Sequence, residues 1–78
     1  MSTVLRYRGF RVMIHLPTRE HGPAHVHVWK AGTQVVIGLD PVTTRRAERM
    51  RAADVAAAVE LIEDNLDYLL EEWRKRHG

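Results

Sequence analysis

The chain has 78 residues, 45% of them hydrophobic, no cysteine and a formal net charge of +2, which sets it as one folded domain (1–78) with a modest core. This make-up excludes a disulfide framework, a thiolate metal site and intrinsic disorder. No apolar run approaches the ~20 residues of a membrane span and the opening ten residues hold no signal-peptide core, so a cytoplasmic protein without membrane association is expected.

The residues up to about 52 read as β structure. Alternating character on both sides of Arg8-Gly9 predicts strands over 4–8 and 10–16, with Gly9 supplying the positive φ of a tight hairpin turn. "AHVHVWK" predicts a third strand over 24–30, its β-branched and aromatic content suiting a pleated sheet. Gly32 turns the chain into a fourth strand over 34–39, which Pro41 ends because proline lacks the amide proton of the ladder. Residues 41–51 are expected as a loop or a short edge strand, a solvated basic stretch that adds non-specific affinity for nucleic acid.

The remainder reads as one long helix over 53–76. Val55, Val59, Ile62, Leu66, Leu69, Leu70 and Trp73 fall at the three/four spacing of a buried stripe. Acids open the segment while Arg74, Lys75 and Arg76 close it, complementing the helix dipole, and His77 is expected as an exposed helix-end residue. The predicted fold is therefore α+β, a four-stranded antiparallel sheet with one long C-terminal helix on one face, a two-layer sandwich. Charge divides at the same boundary. Residues 1–53 carry nine Lys/Arg against three Asp/Glu, whereas residues 54–78 carry three against seven, so the sheet is the part suited to a polyanion.

Side chains alternate across a strand, which assigns faces. Leu5, Tyr7, Phe10, Val12, Ile14, Leu16, Ala24, Val26, Val28, Val35, Ile37 and Leu39 suit the helix side. Val4, Arg6, Arg8, Arg11, Met13, His15, His25, His27 and Trp29 then lie on the opposite, open face, which is basic and rich in histidine.

Three of the five histidines, His21, His25 and His27, fall within seven positions, and three readings of them stand. In the first, His25 and His27 are an acid/base pair assisted by His21 and cleave RNA without a cofactor. Histidine titrates near neutral pH, and attack by a 2′-hydroxyl needs such a pair plus cations for the phosphate. Arg6, Arg8, Arg11 and Lys30 would hold phosphate and Trp29 would stack an unpaired base. In the second, His21, His25 and His27 bind zinc or another divalent transition metal, with Glu20 or Asp40 as a carboxylate ligand, because residues two apart on a strand aim both imidazoles to one side. In the third, the face is chemically inert and docks a protein around Trp29, a second copy of the chain included.

One segment carries a resemblance. Glu20, His21, Pro23, His25 and His27 match a signature of the form Glu-His-x-Pro-Pro-His-x-His, with Ala24 at the second proline, and "TVLRYRGFRV" and "LDP" accompany it. On these the chain resembles the bacterial family of unknown function numbered 4160 over nearly its whole length. The resemblance implies a small toxin-like protein encoded beside an antitoxin-like partner. It supplies no catalytic residues, and whether the chain is an enzyme stays open at this point.

Overall fold

In a computed structural model, residues 2–15 and 22–77 are described. Five strands run in chain order: β1 (Ser2–Tyr7), β2 (Phe10–Ile14), β3 (His25–Lys30), β4 (Thr33–Leu39) and β5 (Val42–Glu48). They form one antiparallel sheet of order β1-β2-β3-β4-β5. Two helices follow, α1 (Ala52–Asp64) and α2 (Leu66–His77).

The α+β class and the four predicted strands stand; the strand count and the single helix do not. The fifth strand pairs along β4 from Leu39↔Val42 to Val35↔Ala47, after a two-residue turn at Asp40-Pro41, whose peptide bond is cis. Only Val42 of this strand packs on the core, and Thr43 through Glu48 are exposed. A polar, charged sequence guards a sheet edge against further pairing, and it leaves no apolar alternation to read.

The helix breaks at Asn65, whose backbone leaves the helical region at φ −122° and ψ 22°. The Asn65 side-chain amide donates to the Leu61 carbonyl at 2.9 Å and its backbone N–H donates to Ile62 at 3.1 Å. Asparagine competes in this way with the helical ladder. Its own carbonyl then accepts from Leu69 N–H at 2.9 Å, starting α2. The apolar stripe reads through the interruption, so its period alone describes one helix.

Both short hairpin turns put their two central residues at positive φ, Arg8 and Gly9 at 47° and 87°, Ala31 and Gly32 at 49° and 78°. That geometry matches the right-handed twist of the flanking strands, and it fixes the register that sorts side chains between faces.

The core forms between the sheet and the helices. Phe10, Val12, Ile14, Val26, Val28, Val35, Ile37 and Leu39 meet Met50, Ala58, Leu61, Ile62 and Leu69. The expected face assignment holds along β2, β3 and β4. Val4 is an exception: a bulge between Thr3 and Leu5 lets Val4 pack on the core beside Leu5, since an extra residue shifts the alternation by one. Helix α2 is fastened to β1 by the Tyr68 hydroxyl, which donates to the Val4 carbonyl at 2.6 Å, and by Arg76, which donates to Ser2 Oγ at 3.1 Å.

Candidate functional site

The strand register decides what the face opposite α1 holds. Arg6 stands opposite Arg11, Arg11 opposite Trp29 and Trp29 opposite Gln34. Two residues further along β3, His27 stands opposite Met13 and Val36, and His25 is opposite Gly38. The face thus has two ends. The end beside the hairpin turns holds Arg6, Arg11 and Trp29, and the other holds the histidines.

At the hairpin end, Arg6, Arg11, Trp29 and Lys30 line a shallow groove of about 350 Å³, bounded by Gly9 and by the Ala31-Gly32 turn. Arg6 and Arg11 are both exposed, and neither has an ion-pair partner among the described residues. Like charges directly opposed across a ladder cost stability, so this pair is not explained by the fold. The Trp29 indole N–H is buried and has no hydrogen-bond partner among the described residues, although a buried donor normally finds one.

Two predicted phosphate-binding cations direct their charge elsewhere. Lys30 follows Trp29 and so points to the helix side, where its ammonium donates to Asp54 at 3.2 Å and sits 4.8 Å from the centre of the Phe10 ring. The Asp54 carboxyl is held below its ordinary value, first by that hydrogen bond and further by the positive charges of Lys30 and Arg51. Arg8 turns back over the Tyr7 ring at 5.2 Å and borders a larger cleft of about 550 Å³ between the first hairpin and α1. The alternation of β3 and the positive φ of Arg8 aim both charges away from Arg6 and Arg11, although Lys30 still borders their groove.

At the other end the rings form a continuous string. His15, just past β2, stacks on His27 with centroids 3.8 Å apart and planes at 11°. His27 meets His25 edge-on at 5.4 Å. His25 meets Trp73 of α2 at 5.2 Å, and Trp73 stacks on His77 at 3.6 Å. His25 Nδ1–H donates to the Pro23 carbonyl at 3.0 Å. A carbonyl only accepts, so in the neutral ring this fixes the tautomer and puts the lone pair on Nε2. His77 Nδ1–H donates likewise to the Trp73 carbonyl at 3.2 Å.

This end departs from the sequence expectation in accessibility. An open face is expected, yet His25 is 6% and His27 7% exposed, with Met13 and Val36 also buried. His77 is half-buried rather than exposed, because stacking on Trp73 one turn earlier covers it. His21 and Glu20 lie outside the described residues. Among the described residues no group of three or more His, Asp or Glu side chains is placed to hold a metal ion.

Sequence reasoning assigns no site role to His15, Trp73 and His77. The i, i+4 spacing of Trp73 and His77 is the available signal for one pair, and nothing short of register brings His15 onto His27. Sequence alone also keeps Arg45 within a basic, solvated stretch. The β4–β5 register shifts between Val36↔Arg46 and Ile37↔Thr44, which leaves Arg45 as the extra residue of a bulge. Its guanidinium lies over Gly38, with Nε 3.1 Å and Nη2 3.4 Å from where a Gly38 Cβ would stand.

Among the described residues no helix is long and apolar enough to cross a membrane as a helical span. No curated protein and no solved structure matches the chain. The model of the family described as Domain of unknown function (DUF4160) matches residues 9–74, which takes in β2 through β5, α1 and most of α2, and the chain belongs to that family.

Proposed function

We propose that this protein binds single-stranded RNA across the sheet face opposite α1, as the toxin-like member of a pair with a small antitoxin-like partner in the cytoplasm. One observation carries the RNA reading. Arg6 and Arg11 are held directly opposite each other beside Trp29, whose buried N–H is without an acceptor among the described residues. Two cations with no counter-charge among the described residues suit a phosphate backbone, an indole edge suits a base, and a donor without an acceptor there suits an oxygen-rich ligand. The partner and its pairing rest on the family resemblance alone.

His25 and His27 are the acid/base candidates within this reading, with the strand leading from the arginines to them. The fixed tautomer of His25 gives its Nε2 the character of a base when neutral. A second reading rests on the same hydrogen bond. A metal-binding histidine commonly donates its other ring N–H to a carbonyl, so His25 is equally oriented to ligate zinc or a similar ion, with His27 and His21 as partners.

The test uses a labelled single-stranded RNA, with and without EDTA. Native protein should bind it. Arg6→Gln/Arg11→Gln should weaken binding and lower the slope of log K against log salt by about 0.7 for each phosphate no longer neutralised. Trp29→Ala should cost about 1–3 kcal/mol of affinity. Cleavage that survives EDTA and disappears in His25→Gln/His27→Gln with unchanged melting would support acid/base catalysis. Cleavage removed by EDTA would support the metal. Equal binding by native protein and the double arginine variant would overturn the RNA reading.

A further inference from the structure

The proposed RNA reading places cations at the hairpin end, and the histidine end has one of its own. We propose that Arg45, seated over Gly38, is a phosphate-binding residue beside His25. The inference rests on the RNA reading for its ligand, a backbone phosphate, and on the structure for its place.

Three observations converge on Arg45. The first is the bulge: an extra residue on an edge strand turns a side chain out of the ordinary alternation, and Arg45 is that residue between Thr44 and Arg46. The second is the missing side chain. Gly38 is the direct cross-strand partner of His25, and directly opposed Cβ positions lie ~4.5–5.5 Å apart on one face. The guanidinium, 3.1–3.4 Å from the Cβ position of Gly38, therefore fills the place next to the His25 side chain. Gly38 has an ordinary negative-φ strand backbone, so what it contributes is the space for Arg45.

The third is charge. Arg46 pairs with Glu48 at 3.4 Å, while Arg45 has no ion-pair or hydrogen-bond partner among the described residues. A guanidinium presents planar forked donors that match a phosphate's oxygens. Held against the sheet with that fork unfilled, it offers a phosphate a position within reach of His25. A phosphate there would be bound at one end of the face while Arg6 and Arg11 hold the backbone at the other.

The test separates position from charge. Inorganic phosphate is titrated into ¹⁵N-labelled protein, and the Gly38 amide and His25 ring signals are followed by NMR for the native protein and for R45Q, R45K and G38A. Arg45→Gln should weaken the phosphate response about tenfold, as expected on removing one charged hydrogen-bonding group, and Arg45→Lys should restore it only in part. Gly38→Ala keeps the charge but sets a Cβ 3.1 Å from Arg45 Nε and Thr43 Cγ2. It should displace the arginine and weaken the response as Arg45→Gln does, with melting checked for each variant.

An unchanged response in both Arg45→Gln and Gly38→Ala overturns the proposal, as does the absence of any response at these two residues in native protein. RNA binding by native protein distinguishes the two readings. Native RNA binding with no effect of Arg45→Gln on either ligand removes the Arg45 site and leaves the RNA reading standing. An Arg45-dependent phosphate response in a protein that binds no RNA keeps the anion site and removes the RNA reading.

Discussion

The two faces of the sheet differ in how far their cations are paired. On the helix side cations are matched: Lys30 and Arg51 share Asp54, Lys75 and Arg76 share Glu72, and Arg74 holds Glu71. On the other side Arg46, opposite Val36, pairs with Glu48, but Arg6, Arg11 and Arg45 have no ion pair among the described residues. Exposed ion pairs contribute little stability one by one, so the pairing is better read as placement. The helix face has its apolar stripe for holding the fold, and Lys30, Arg51, Arg74, Lys75 and Arg76 are paired around that stripe. The opposite face keeps net positive charge, at a cost in stability where Arg6 meets Arg11.

The difference can be broken first at the core. Ile62 is fully buried between α1 and the sheet, and Ile62→Ala should cost about 2–5 kcal/mol by chemical denaturation. A loss under about 1 kcal/mol, below the usual range for such a truncation, would mean that the helix side does not hold the fold. Next is the second hairpin. Ala31 sits at φ 49°, a conformation that costs a residue with a Cβ roughly 1–2 kcal/mol, so Ala31→Gly should raise stability by about 1 kcal/mol. A melting temperature that falls would show that the turn is held by something other than its backbone.

A smaller gain is expected from the face itself. Arg6→Thr removes one of two opposed charges and should stabilise the fold by about 0.2–1 kcal/mol while weakening RNA binding. Stability and affinity moving in the same direction would contradict the contrast between the faces. The smallest effect concerns pH. The depressed carboxyl of Asp54, held by Lys30 and Arg51, and that of Glu72, held by Arg76 and Lys75, favour the folded state wherever both are ionised. That advantage is complete above the ordinary carboxylate range, about pH 4, and fades as pH falls through the lower folded-state values. Melting of native protein and Lys30→Met should therefore converge as pH is lowered from about 6 to about 3. A gap that widens instead would reverse the sign.

How far each feature is legible in the sequence follows from what it depends on. Strands β1 to β4 are readable because Val26 and Val28 alternate with His25, His27 and Trp29, β2 and β4 carry the β-branched Val12, Ile14, Val35, Val36 and Ile37, and the turns carry glycine. β5 is legible only as one of two alternatives, a loop or a short edge strand, because a strand that half-buries Val42 and exposes the rest has no pattern to show. The division of the helix at Asn65 hinges on one side-chain hydrogen bond to Leu61. Of the candidate site, Arg6, Arg11 and Trp29 come together through register alone. Lys30 falls on the wrong side when it is grouped with Trp29 by proximity rather than placed by alternation. The ring string from His15 to His77 and the seat of Arg45 depend on α2 reaching the end of the sheet and on a bulge, neither of which leaves a mark in the order of residues.

The sequential strand order also bears on how the chain reaches this structure. Each strand pairs only with its neighbours along the chain, so the sheet grows by closing short loops, each at small entropic cost. Such local assembly belongs with the faster folding topologies. The contacts that fasten α2 to β1 are of another kind, spanning 64 residues from Tyr68 to Val4 and 74 from Arg76 to Ser2. The loop-closure entropy of the whole chain therefore falls on that one clasp, and it is also the step that brings Trp73 against His25 and completes the ring string. In kinetic terms the strand pairings close over short loops, while the candidate site also needs the long-range docking of the last helix.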